Sequence, residues 1–98
     1  MLTQRQIKQI TKIFDNNNKI GKAWLFGSFA RNEETEDSDI DILFAFKKNQ
    51  SFGFIEMTKI IDTLEAKLKR KVDLIKEDSL LSFVIDSVNK DKIQIYGN

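Results

Sequence analysis

Three short stretches of the chain hold the residue types that chemistry at a phosphate ester needs. In the first, an apolar run, KAWLF (22–26), ends in Gly27-Ser28, and Arg31 follows one helical turn later. Glycine at such a corner opens backbone conformations closed to other residues and allows close approach by a ligand. Amides freed at a helix start attract anions, Ser28 adds a hydroxyl donor and Arg31 a cation, so the group reads as a phosphate cradle. Alone, the same residues also fit an ordinary strand-to-helix turn with a solvated Arg31. The second stretch is Asp39-Ile40-Asp41. In a strand, residues two apart face the same way, roughly 6.5–7 Å apart at Cα, so two carboxylates so placed converge on one hard cation or on a pair of them. The third is Asp73, inside the apolar run Val72-Asp73-Leu74-Ile75. An isolated buried carboxylate is costly unless paired or metal-bound, whereas on an edge strand Asp73 would point outward or meet a nearby lysine.

Together, a phosphate-binding turn and three strand carboxylates are the parts of metal-assisted phosphoryl transfer, in which one carboxylate also takes the proton of the attacking hydroxyl. Competing motifs fail on spacing. Asp37, Asp39 and Asp41 match the first ligands of an EF-hand loop, but Ile42 stands where its glycine belongs and Lys48 where its bidentate glutamate belongs. In a phosphatase or glycosyltransferase DxD motif the apolar strand usually precedes the pair; here it follows. The four glycines form neither a P-loop nor a dinucleotide fingerprint.

What the chain lacks narrows the chemistry further. It has no His and no Cys, which removes disulfides, thiolate nucleophiles, thiolate zinc sites and the commonest general base. The work falls to carboxylates, hydroxyls, Lys, Arg and the backbone. Sixteen basic against 15 acidic residues leave a net charge of +1, so no general electrostatic pull toward nucleic acid or membrane is expected. The N-terminus lacks a signal-type apolar core, and the longest apolar run, 42–46, is too short to span a bilayer. A soluble, cytoplasmic protein is the expectation.

The elements that must hold these residues follow from periodicity. Ninety-eight residues, 41% hydrophobic and 32% charged, fit one domain covering 1–98. A capping box, Thr3 with Gln6, opens a helix with Ile7, Ile10, Ile13 and Phe14 on one face, stopped by Asn16–Asn18 and Gly21. A strand over 22–26 is followed by the Gly-Ser turn and a polar loop over 32–38. A strand over 39–46, apolar on both faces beyond its start, predicts cover by helices on both sides. A helix is expected over 51–68, a strand over 72–75, a helix capped by Asp78 or Ser79 carrying Leu81, Val84, Ile85 and Val88, and a closing strand over 92–96. This order predicts an α+β fold in α/β layers, a small mixed sheet packed with helices.

The stretch GSFARNEETEDSDIDILFAF (27–46) resembles the signature of the DNA polymerase β-like nucleotidyltransferases, in particular the minimal nucleotidyltransferase (MNT) proteins, whose pattern is Gly-Ser-x-x-Arg, a short loop, then Ser-Asp-x-Asp. Gly27, Ser28, Arg31, Ser38, Asp39 and Asp41 fall on it, and Asp73 falls on the third carboxylate. The resemblance implies the nucleotidyltransferase fold, Mg²⁺ (two ions) held by Asp39, Asp41 and Asp73, and nucleotide binding by Gly27, Ser28, Arg31 and Ser38. It also implies that Asp73 helps deprotonate the acceptor. Asn32 departs from the pattern, which usually has Gly there; Asn tolerates the left-handed region, so the turn is expected to survive. MNT proteins commonly pair as antitoxins with a helical HEPN toxin, and some attach AMP from ATP to a tyrosine of it. The leading expectation is therefore AMP transfer to a partner hydroxyl. Its alternatives are a binding module that neutralises a partner by contact, and nucleotidylation of a small molecule. Phe52 and Phe54, flanking Gly53, are a candidate patch for the partner or else a staple onto the following helix.

Overall fold

The computed structural model describes residues 2–80 and 82–97. Helix α1 (Gln4–Asn17) leads into β1 (Ile20–Phe26), the short α2 (Gly27–Ala30), β2 (Ile40–Phe46), α3 (Phe54–Leu68), β3 (Val72–Lys76), a 3-10 turn (Glu77–Ser79), α4 (Ser82–Asp91) and β4 (Ile93–Tyr96). The four strands form one sheet in the order β3-β2-β1-β4. Strand β1 runs antiparallel to β2 and β4, while β2 and β3 are parallel and joined through α3, as a parallel pair requires. The mixed α+β sheet with helices is the one the periodicity predicts.

Local chemistry sets most of the boundaries. Thr3 Oγ1 accepts from the Gln6 amide at 3.1 Å, and the Thr3 amide donates to Gln6 Oε1 at 2.9 Å, completing the capping box. Asn18 ends α1 in the left-handed region, φ 64°, its amide donating to Phe14 O. Several expected boundaries move. Helix α3 starts at Phe54, not at 51, because Phe52 turns inward to stack on Phe44, with ring centroids 5.7 Å apart. Ladder β2 starts at Ile40, whose amide donates to Lys71 O, leaving Asp39 one step outside it. The Ser79 hydroxyl donates back to Lys76 O within the 3-10 turn, and α4 begins at Ser82. Leu81, expected on that helix, lies outside the described residues.

One face of the sheet carries the core. Ile10 and Phe14 of α1 and Ile60, Leu64 and Leu68 of α3 pack on Ile20, Ala23, Leu25, Ile40, Ile42, Phe44, Val72 and Leu74. Alternation then turns Phe26, Asp41 and Asp73 to the opposite face. Leu43, on that second face, is also fully buried, so β2 is covered on both sides along its middle and open at its start. Among the described residues no helix is long and apolar enough to cross a membrane.

Candidate active site

The register brings the chemistry together. Phe26 pairs with Asp41 across β1 and β2, and Asp41 with Asp73 across β2 and β3. Directly paired residues point to one side of a sheet, so the end of β1, which runs into Gly27, and the two carboxylates lie in one row. The Asp41 and Asp73 carboxylates are register neighbours on adjacent strands, close enough for the charge of Asp73 to bear on Asp41. Asp41 is half-buried and its pKa is pushed up to about 6, first by desolvation, then by the negative charges of Asp73 and Asp39, with Arg31 opposing. Asp73 is exposed on the edge strand. The outward alternative for Asp73 is thus the observed one, yet it points outward beside Asp41.

Asp39 acts on this pair through its charge and has no ladder position. Among the described residues no three acidic side chains are gathered tightly enough to hold a metal ion. The arrangement is a close pair of carboxylates with a third near enough to act through its charge, and their repulsion disfavours the ionised form of Asp41. The donor set still suits a hard cation: oxygen ligands only, half-desolvated at Asp41, and crowded with like charge that a cation would neutralise.

Gly27 meets the pair from the other side. Its φ is +72°, and a Cβ there would collide with Asp41 Oδ2. Only glycine permits both the backbone angle and this proximity. The turn continues through α2, where the Arg31 amide donates to Gly27 O and the Glu33 amide to Ser28 O at 2.9 Å. Asn32 takes the left-handed conformation, φ 58°, where the resembling pattern has Gly. The Arg31 guanidinium meets Glu33 Oε1 at 2.8 Å and Asp91 Oδ2 of α4 at 3.7 Å, so here it braces the turn. Beside Gly27 and Arg31 lies a cavity of about 370 Å³ with Leu80, Val84 and Val88 in its wall.

Ser38 faces its own loop: its hydroxyl accepts from the Thr35 amide at 2.8 Å. Two residues outside the sequence reading also shape the site. Glu65 of α3 accepts the Val72 amide at 3.0 Å and so fixes the start of β3. Arg70, which follows α3, reaches back to the loop before Asp39. Neither has a sequence signal, since both contacts depend on where two separate segments meet.

The raised pKa gives a stability test. Asp41 is protonated more readily in the folded chain than at its usual 3.8. Its stabilising contribution is therefore complete below about pH 4 and is lost as pH rises through about 6. Asp41→Asn removes the charge. It should match the wild type near pH 4 and exceed it at pH 8 by up to about 1 kcal/mol, allowing for solvent screening at this half-open site, or a few degrees in Tm. Melting curves at both pH values would show it; an equal difference at both would disprove the charge argument.

Comparison with known proteins gives a consistent picture. The family model described as polymerase beta, nucleotidyltransferase matches residues 8–98. A Methanocaldococcus jannaschii protein, provisionally named a protein adenylyltransferase, is 40% identical over 97% of this chain and 100% of its own length. The Thermococcus cleftensis protein adenylyltransferase MntA is 39% identical over 72% of this chain and 70% of its own. A chain from the crystal structure of a toxin–antitoxin with AMP-PNP superposes with a TM-score of 0.77 at 25% identity, covering 99% of this chain and 75% of that one.

Proposed function

This chain belongs to the polymerase β nucleotidyltransferase family, and we propose that it transfers AMP from ATP to a hydroxyl of a partner protein, a tyrosine of a helical HEPN-type toxin, in a Mg²⁺-dependent reaction within the cytoplasm. The observation that carries this reading is the Asp41–Asp73 pair lying against a glycine turn that tolerates no side chain. The protein adenylyltransferase names of the relatives and the toxin–antitoxin complex with AMP-PNP support the nucleotide and the partner class.

Asp39, Asp41 and Asp73 would hold Mg²⁺, which when bound neutralises the triphosphate and polarises the α-phosphate. The amides of the Gly27-Ser28 turn and the Ser28 hydroxyl bind the β- and γ-phosphates, with Arg31 bracing the turn. The acceptor oxygen bonds to the α-phosphorus as the bond to the pyrophosphate oxygen breaks. Asp73, exposed and hence within reach of an incoming hydroxyl, takes the acceptor's proton. Mg²⁺ and a proton compete for Asp41, so the Mg²⁺ concentration that supports half-maximal transfer should rise as pH falls through about 6, which rates at several Mg²⁺ concentrations between pH 5 and 8 would test.

The decisive experiment incubates the chain with its cognate partner, ATP and Mg²⁺ and weighs the intact proteins. The partner should gain mass in whole AMP units, with release of pyrophosphate. Tight binding without any mass gain would establish a neutralising module instead.

The partner surface is set apart from the chemistry. Phe52 is packed inside, but Phe54 and Ile55 at the start of α3 are 82% and 73% exposed, beside an open hollow of about 790 Å³. Glu56 ties this helix start to Lys19 at 2.9 Å, at the end of the sheet opposite Gly27. From Asp41 to Phe46 is five strand steps, roughly 17 Å. Replacing Phe54 and Ile55 by serine should weaken partner binding at least about tenfold while leaving ATP affinity unchanged, since buried anchors at an interface carry 1.4 kcal/mol or more. Calorimetry with each ligand would separate the two, and unaltered partner affinity would remove this surface from the interface.

A further inference from the structure

Arg70 follows α3 and precedes β3, three residues before Asp73. Its Nη1 donates to three backbone carbonyls of the acidic loop, Thr35 O, Glu36 O and Ser38 O, each at 3.0 Å. Its guanidinium carbon lies 5.1 Å from the ring centroid of Phe29, which is buried within α2. One side chain therefore touches the phosphate turn and the loop that delivers Asp39, and is tethered by its own backbone to the strand that carries Asp73.

We infer that Arg70 is a positioning residue, a clamp that sets the loop 35–38 so that Asp39 is held beside the Asp41–Asp73 pair. The inference rests on the nucleotidyltransferase reading of that site. Asp39 needs such a clamp because it lies outside the β2 ladder, and three nearby carboxylates repel one another. Ser38 and Thr35 close the loop on itself through three hydrogen bonds, Ser38 N to Thr35 O, Thr35 N to Ser38 Oγ and one between their hydroxyls, and that closure turns the carbonyls toward one donor. The residue type matters. A guanidinium offers N–H donors in its plane and a flat face to the ring at once, whereas a lysine ammonium supplies donors and charge without the flat face. Arg70→Lys thus removes the stack and keeps the charge, and Arg70→Ala removes both.

The test uses the full chain with AMP-PNP as the probe. In Arg70→Lys, hydrogen exchange at amides 35–40 should quicken at least about tenfold, with β1 and the middle of β2 unchanged, because the loop opens locally while the sheet does not. AMP-PNP affinity in Mg²⁺ should fall about tenfold, while affinity in EDTA, which depends on the phosphate turn alone, should stay within about twofold. Arg70→Ala should show both effects more strongly. A general structural role would lower both affinities together and quicken exchange throughout the sheet; either result overturns the clamp, as does unchanged exchange over 35–40. A wild type that binds no AMP-PNP in Mg²⁺ refutes the nucleotide site itself, and the exchange data then decide the clamp on their own.

Discussion

Replacing both Asp39 and Asp41 by alanine should abolish AMP transfer, by at least about a thousandfold, while leaving the fold and partner binding intact. A thousandfold loss is about 4 kcal/mol of transition-state stabilisation, which is the scale for removing the charges that neutralise a triphosphate. The direction of the stability change separates this from unfolding. Asp41 is half-buried, crowded by Asp73 and Asp39, and its raised pKa shows that its charge is unfavourable in the folded chain. Removing two of three mutually repelling carboxylates should therefore leave Tm at pH 8 the same or higher, whereas a core truncation would lower it. The exposed Phe54 and Ile55, at the far end of the sheet, are untouched, so complex formation should persist. Intact mass of the partner over time, beside a melting curve and a binding isotherm, reads all three quantities. Undiminished transfer by the double variant would refute the carboxylate mechanism.

Asp41 and Asp73 were legible in the sequence because they sit on strands, where period two fixes direction; Asp39 precedes its strand. Ile40-Asp41-Ile42 and Val72-Asp73-Leu74 each announce one polar position in an otherwise apolar run. Their pairing across β2 and β3 is a register, which the sequence specifies only through the whole hydrophobic pattern. Of the two readings of Asp73, a buried partnered carboxylate and an outward one on an edge strand, the structure shows the second, and the desolvated member of the pair is Asp41. The fold was legible where local signals are strong, as at the Thr3–Gln6 box and the left-handed stop at Asn18. It was not at Phe52, whose inward turn depends on Phe44 and Phe46 across the layer. The same limit hid Arg70, whose partners lie 32 to 35 residues away and are backbone carbonyls, which no residue type betrays.

Gly27→Ala should damage the site more than the fold. Two costs arise at this position. The φ of +72° disfavours any side chain by roughly 1–2 kcal/mol. The new Cβ would also collide with Asp41 Oδ2. The backbone cost cannot be relieved without reshaping the turn proposed to receive the phosphates. The collision can be relieved, by swinging Asp41 away from Asp73 and out of the row of carboxylates. Either response spoils the geometry, so ATP affinity in Mg²⁺ should fall at least about tenfold and transfer at least about a hundredfold, since misplacing reacting groups by an ångström costs that much. The collision can be measured apart from the strained angle. Asp41→Ala removes the atom that Cβ meets, so the double variant Gly27→Ala, Asp41→Ala should be more stable than the sum of the single changes allows, by roughly 1 kcal/mol. Strictly additive stabilities would mean that Gly27 and Asp41 are not in contact, and the glycine turn would then have no part in holding the carboxylate pair.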